Sequence, residues 1–417
     1  MHCANVAAEF TSGIGDFDMT EQVKKKALIA MSGGVDSSLA AKKMIERGYE
    51  CIGCTMKLYD RPEEMAEALG INTAVHSKTE TSGSSEKVAV DGAAAGCVIV
   101  QQEDSPIRER TCCSLNDVED ARQVAFRLGM KYYVFNFKDD FKEKIIDKFI
   151  RCYECGITPN PCIDCNRYMK FEKLYERAVI LGCDVIVTGH YAQIEEKEGR
   201  YFLKKAADES KDQSYVLYSL TQEQLAHTCF PLGGMNKADV RKEAEESGFV
   251  NADKPDSQDI CFVPDGDYAK VIETYTGKVP EPGNFVDKSC KVIGPNKGII
   301  HYTIGQRKGL GISAPEPLYV CEIRPKTREV VLGSNDDLMS RELTVADFNW
   351  ISGSAPTEPF RCKAKIRYRQ REQWAEVTPI GEDRVRIAFD DPQRAITAGQ
   401  AAVLYDGDIV LGGGTIQ

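Results

Sequence analysis

The chain has no apolar run of about 18 residues, so no membrane span is indicated. Residues 1–18 have no apolar h-region either, and Glu9, Asp16 and Asp18 fall among them, which excludes a signal peptide. They read as a disordered extension, with Met19 a natural start. There is no excess of basic charge: 53 Lys and Arg stand against 64 Asp and Glu, a net charge of −11. That argues against indiscriminate nucleic-acid binding but leaves room for a local basic surface. No internal repeat and no glutaminase domain is visible. Without a secretory signal, the sixteen cysteines do not suggest a general disulfide framework. Reduced cytoplasmic thiols, some carrying chemistry or metal, fit better. What remains is a soluble globular composition, 42% hydrophobic and 28% charged over 417 residues, enough for a sizeable core and two or three domains.

The organising stretch is Ala30-Met31-Ser32-Gly33-Gly34-Val35-Asp36-Ser37. An apolar run from Ala27 feeds into it, and a helical pattern leaves it, running from Ser37 to Arg47 and stopping at Gly48. The glycines let backbone N–H groups approach an anion, Ser32, Ser37 and Ser38 add hydroxyls, and the helix start favours phosphate. The loop lacks the Lys-Ser/Thr ending of a Walker A motif and is not Gly-x-Gly-x-x-Gly. It resembles the Ser-Gly-Gly-x-Asp-Ser loop of the PP-loop ATP pyrophosphatases. That likeness implies ATP held at Ala30–Ser37, adenylylation of an oxygen and release of pyrophosphate. Asp36 is the candidate to hold Mg2+ against the phosphates.

Further along, Tyr49–Met56 reads as a strand, 116–128 as an amphipathic helix, 131–137 as a strand, 172–181 as a helix and 184–188 as a strand ending in Gly189-His190-Tyr191. This alternation implies a parallel, doubly wound sheet, and the resemblance of the loop to the PP-loop pyrophosphatases implies one of the adenine-nucleotide-hydrolase kind. Ligands bind at the carboxyl ends of such strands, so Met56 and Gly189 should join the loop around one nucleotide. Cys51 and Cys54, three apart on a strand, face opposite sides and read as packing residues. Residues 61–110 look like a loop or insertion. Another helix is expected over 237–248, then a polar stretch over 251–258. After Cys261 short extended segments take over, with a hairpin around Lys326-Thr327 and several strands beyond residue 340. The expected domains are a PP-loop domain over 19–255, a small central domain over 256–335 and a C-terminal β-barrel over 336–417.

The second chemical centre is Thr158–Asn166, where Pro159 and Pro161 are expected to keep the backbone extended and Cys162 and Cys165 exposed. With Cys152 and Cys155 nearby, a zinc knuckle is an alternative.

The Asn-Pro-x-x-x-Cys-Asn run at 160–166, Lys170-Phe171, Thr-Gly-His-Tyr at 188–191, Lys-Asp-Gln-Ser-Tyr at 211–215 and Asp-Ile-Cys-Phe at 259–262 together resemble the tRNA-uridine 2-sulfurtransferases, the MnmA family. The resemblance runs from Lys26 to Gln417 with a gap at the insertion. It implies ATP-dependent 2-thiolation of a tRNA wobble uridine, with Cys165 and Asp36 catalytic and Cys261 carrying a persulfide loaded by a cysteine desulfurase, a relay protein or free sulfide. A disulfide between the two cysteines would follow transfer. It also implies tRNA contacts at Asn160, Pro161, Cys162, His190, Lys211, Asp212, Gln213, Arg367, Tyr368 and Gln400. Many members have Asp where Cys162 stands. Three thiolates, Cys162, Cys165 and Cys261, would suit a [4Fe–4S] cluster with one open iron, and this second route is the one favoured. Finally, Arg361, Lys363, Lys365, Arg367, Arg369 and Arg371 all fall on odd positions, so a strand over 361–371 would carry a basic ridge roughly 30–35 Å long. A solvated, charge-protected edge strand is the plainer alternative.

Overall fold

The structure is a computed structural model that describes residues 24–59, 115–256, 260–263 and 266–417. The expected extension at 1–18, the insertion at 61–110, and Asp259 of the Asp-Ile-Cys-Phe motif lie outside the described residues.

Five strands form the first sheet: β1 (Lys26–Ala30), β2 (Glu50–Lys57), β3 (Lys131–Asn136), β4 (Val185–Val187) and β7 (Thr228–Cys229). All pair in parallel, in the order β3-β2-β1-β4-β7. β1 alternates across this sheet: Ala27 and Ile29 join the cluster of Leu39, Met44 and Val240, while Leu28 packs with Ile52, Cys54 and Leu174 on the other face. Helices therefore cover both faces, as the run of strand and helix patterns implies. Helix Val35–Glu46 packs through Leu39, Ala40, Ala41 and Met44 and ends before Gly48, whose φ of 85° suits glycine. Cys51 and Cys54 are buried in different clusters on opposite faces of the sheet, as the strand period requires.

One expectation fails here. The proline-rich cysteine segment is helical from Pro161. A short α-turn, Pro161–Asp164, continues as a π-wound stretch, Cys165–Lys173, and then as helix Leu174–Ile180. Pro161 occupies the first helical position, where no N–H is lost and its fixed φ suits the helix, while Asn160 stays extended before it (φ −116°, ψ 89°). Proline at this position starts a helix rather than forbidding one.

The hairpin β5 (Gln193–Lys197) and β6 (Arg200–Lys204) leaves the first sheet and adds to the far one. Between the two in sequence comes a four-stranded sheet of β8 (Gly283–Val286), β9 (Val292–Asn296), β10 (Tyr319–Arg324) and β11 (Glu329–Gly333), around a core of Phe285, Tyr302 and Val330. The last six strands are β12 (Met339–Trp350), β13 (Phe360–Lys365), β14 (Gln373–Pro379), β15 (Val385–Arg394), β16 (Ala401–Asp406) and β17 (Ile409–Ile416). They run antiparallel, and β12 also pairs with β17, which closes them into a barrel. The expected ridge strand ends early: β13 stops at Lys365, and Arg367, Arg369 and Arg371 fall in the turn before β14. Three basic side chains, not six, share a strand face, over about 13 Å.

Candidate active site

Gly33 and Gly34 join β1 to helix Val35–Glu46. Gly33 has φ 74°, and a Cβ there would collide with the backbone of Asp117. Gly34 caps the helix and offers no side-chain acceptor to its first N–H groups, and Gly34, Val35, Asp36 and Ser37 line a cavity. The loop is tied from several sides. Ser37 Oγ donates to Gly34 O at 2.9 Å, and Asn251 Nδ2 donates to Gly33 O at 2.9 Å and Ser38 Oγ at 3.0 Å. Lys254 Nζ reaches Gly33 O at 3.3 Å and bridges Asp117 and Asp120. Gly189 closes the floor, since a Cβ would meet Asp36 and Ser37 backbone at 2.8 Å.

Asp36 lines the cavity and is already paired. Lys237 Nζ donates to both its oxygens, at 2.7 and 2.8 Å, and Tyr191 OH donates at 2.8 Å. Lys237 also reaches Asp256 at 2.8 Å. Burial raises the Asp256 carboxyl, but hydrogen bonds from Lys211 and Lys237 outweigh it and hold the pKa at about 2. Burial, then the charge of Asp36, pushes the Tyr191 phenol well up, so it stays a donor. Magnesium therefore finds no ready set of protein ligands at Asp36.

One cavity of 2010 Å³ joins this loop to the cysteines and to the barrel. Pro161, Cys162 and Cys165 line it from the helix start, Cys261 from the 260–263 segment, and Lys363, Lys365, Tyr368, Arg369 and Arg371 from the barrel. Cys162 and Cys165, three apart, share a helix face. Cys165 and Cys261 pack against one apolar cluster with Phe141, Met169 and Phe262, and Tyr59 OH donates to Cys261 O at 2.7 Å. Yet among the described residues no group of three His, Cys, Asp or Glu side chains is placed to hold a metal ion. The set Cys162, Cys165 and Cys261 is thus brought to one cavity but not to one centre, and the iron–sulfur and zinc arrangements do not fit the described residues.

Of the other expected residues, Ala30, Met31, Ser32, Gly34, Val35, Ser37, Met56, Gly189, His190, Lys211, Asp212 and Gln213 line the cavity. Gly33, Asn160, Arg367 and Gln400 do not; they support it. Arg367 Nη2 donates to Ala395 O and Thr397 Oγ1, both at 2.8 Å, and Gln400 Nε2 donates to Thr158 O at 2.9 Å, pinning the strand end to the cysteine segment. His190 is buried, bonded to Thr188 Oγ1 at 2.7 Å and 3.3 Å from Lys170 Nζ. Burial first, then Lys170, keeps its imidazole neutral well below the usual range.

Lys237, Asn251 and Lys254 were not legible as site residues in the sequence. Lys237 left one signal. It opens helix Lys237–Glu246, where a cation opposes the helix dipole, and such local conflicts mark positions held for another purpose.

Residues 25–91 and 79–265 match the family profile described as "tRNA methyl transferase HUP domain", residues 269–334 that of a "tRNA methyl transferase PRC-barrel domain", and residues 340–416 that of an "Aminomethyltransferase beta-barrel domain". The chain is similar over its length to proteins named tRNA-specific 2-thiouridylase MnmA. That of Clostridioides difficile (strain 630) is 46% identical, covering 95% of this chain and 99% of that one. That of Acetivibrio thermocellus is 47% identical, covering 94% and 99%. MnmA 2 of Caldanaerobacter subterraneus subsp. tengcongensis is 48% identical, covering 95% and 99%.

Proposed function

This chain belongs to the tRNA-specific 2-thiouridylase (MnmA) family, and from that premise we propose an enzyme that uses ATP to replace the C2 oxygen of a tRNA wobble uridine with sulfur. The observation that carries this reading is the single cavity that the Ser-Gly-Gly loop, Cys165, Cys261 and the basic barrel residues share.

The triphosphate rests on the N–H groups of Gly34 and the helix start, with Lys237 and Lys254 supplying positive charge on either side. Magnesium arrives on the nucleotide. The uridine O2 attacks the α-phosphorus; an O–P bond forms, the α–β bridge breaks, and pyrophosphate leaves with the electron pair. A carbonyl oxygen is a poor leaving group, and the adenylate makes it a good one. The outer sulfur of a persulfide on Cys261, loaded by a sulfur donor, then adds at C2 and AMP departs. Cys165 thiolate attacks the inner sulfur. The Cys261 S–S bond breaks, a Cys165–Cys261 disulfide forms, and the outer sulfur stays on the base as the thiocarbonyl. A thiol reductant resets the pair. No step passes through a cluster, because the described cysteines do not form a three-ligand centre.

The test measures pyrophosphate release with and without tRNA, alongside thionucleoside by mass spectrometry. Wild type should release pyrophosphate only with tRNA. Cys165→Ala should keep that release and lose thiolation by at least about a thousandfold. Pyrophosphate release indifferent to tRNA, or thiolation surviving in Cys165→Ala, would sink the reading.

A further inference from the structure

The chain has two tryptophans. Trp350 is buried in the barrel core at 7% exposure, beside Phe348 and Phe360, whereas Trp374 is 52% exposed. On β14 the inward positions are Ala375 and Val377, both fully buried, so the indole of Trp374 adds nothing to that core. Trp374 lies directly opposite Lys363 on β13. Lys363 Nζ stands 5.6 Å from the ring centroid and Arg361 Cζ 5.9 Å. Asp390 pairs with Arg361 at 2.7 Å and holds that guanidinium over the ring. Lys363 also lines the cavity, next to Lys365, Arg369 and Arg371. The exposed indole is therefore continuous with the cavity's basic rim.

We propose that Trp374 is a stacking platform for an unpaired nucleotide of the bound RNA, next to the one that enters the cavity, with Lys363 meeting its phosphate. The proposal rests on the tRNA reading above. A nucleobase presents an aromatic face whatever its identity, and stacking on an exposed aromatic side chain is tolerant of sequence. The cations over the ring attract the backbone and polarise the indole by cation–π contact. The platform holds the RNA outside the reacting centre, so it acts on affinity and not on the chemistry.

The experiment titrates unmodified tRNA into the full chain, reading tryptophan emission and filter binding together, for wild type, W374F, W374A and W374L. Saturating tRNA should quench wild-type emission. The quench should vanish in W374F, whose tRNA affinity stays within about twofold because a ring remains. W374A and W374L should bind about tenfold more weakly. W374L keeps a bulky apolar side chain on the strand and gives the answer even where W374A does not fold. Unquenched wild-type emission, a quench that survives in W374F, or wild-type affinity in W374A and W374L overturns the platform. Normal tRNA affinity in W374L with impaired sulfur uptake from a protein donor would assign the surface to that protein and also overturn it. Wild type that retains no tRNA on the filter would instead overturn the tRNA reading itself.

Discussion

On the nucleotide wall of the cavity, cations are matched to carboxylates: Lys237 to Asp36 and Asp256, Lys254 to Asp117 and Asp120. On the barrel wall Lys363 leans on Trp374, and Lys365 stands over Tyr215 and Tyr368 at 5.7 and 5.8 Å. Burial also holds the Lys365 ammonium below the ordinary lysine range. The two arrangements suit two tasks. A reacting triphosphate needs donors fixed beforehand, and interlocked ion pairs with glycines that tolerate no Cβ provide that. A long polyanion is gathered by cations whose charge is not already cancelled, and their contributions add and screen with salt. One wall should fail abruptly when changed, and the other by degrees.

The abrupt failure is expected at Lys237. Lys237→Met leaves Asp36 without an ammonium and strips Asp256 of one of its partners, which include Lys211 and Arg241. Asp36 and Asp256 side chains are 30% and 21% exposed, so the cost in stability should be roughly 2 kcal/mol, less than for a fully buried pair. Lys237→Met with Asp36→Asn should recover most of that stability, as measured by urea unfolding. Pyrophosphate release should stay down by about a hundredfold or more in both, since the charge facing the triphosphate is gone. Recovery of activity along with stability would make Lys237 a structural ion pair and erase the contrast between the walls.

How much of this could be read from the sequence follows the same division. The nucleotide loop was legible because one local pattern, strand, Ser-Gly-Gly, helix, carries its whole geometry. The residues that lock it, Asn251 and Lys254, were not, because they arrive from more than 200 residues away. The two cysteine pairs show the limit at closer range. Cys51 and Cys54 have the same spacing as Cys162 and Cys165. The strand period sends the first pair to opposite, buried faces, and the helix period keeps the second on one face of the cavity. Spacing decided nothing until the local period was known, and for Cys162 and Cys165 it was misjudged by taking Pro161 as a helix breaker. The basic alternation from Arg361 to Arg371 misled in the reverse sense: a period of two suggested one long strand, but a turn begins after Lys365.

That turn sharpens the barrel side. Lys363→Glu with Arg371→Glu should weaken tRNA binding about tenfold at moderate salt and lower the slope of log affinity against log salt, by roughly 0.7–0.9 for each phosphate that is no longer neutralised. ATP affinity without tRNA should hold. Arg367→Ala should behave differently, because its guanidinium is spent on Ala395 O and Thr397 Oγ1. Its expected effect is a loss of about 1–2 kcal/mol in stability with the salt slope intact. A salt slope that drops with Arg367 and not with Lys363 and Arg371 would move the RNA path to another face of the barrel.

The smallest effect is expected at His190, a titratable group locked on the nucleotide side. Its imidazole is buried against Phe171 and Phe230 and stands near Lys170, so burial first and the lysine second keep its folded pKa well below 6.5. In the unfolded chain it titrates near 6.5. Above that pH both states hold the neutral ring and His190 adds no pH dependence. Below it the unfolded chain takes up a proton that the folded chain refuses, so stability is lost as pH falls from about 6.5 toward the folded value, by at most about 1.4 kcal/mol per pH unit. His190→Gln removes this one titration, so the difference between wild-type and variant unfolding free energies should be flat above pH 7 and should shrink in the variant's favour between pH 6 and 5. Lys170→Met should leave most of the slope in place, because burial is the larger cause. A wild-type slope unchanged in His190→Gln would mean that the ring takes up its proton in the folded chain, and that this part of the nucleotide wall yields to charge as readily as the barrel side.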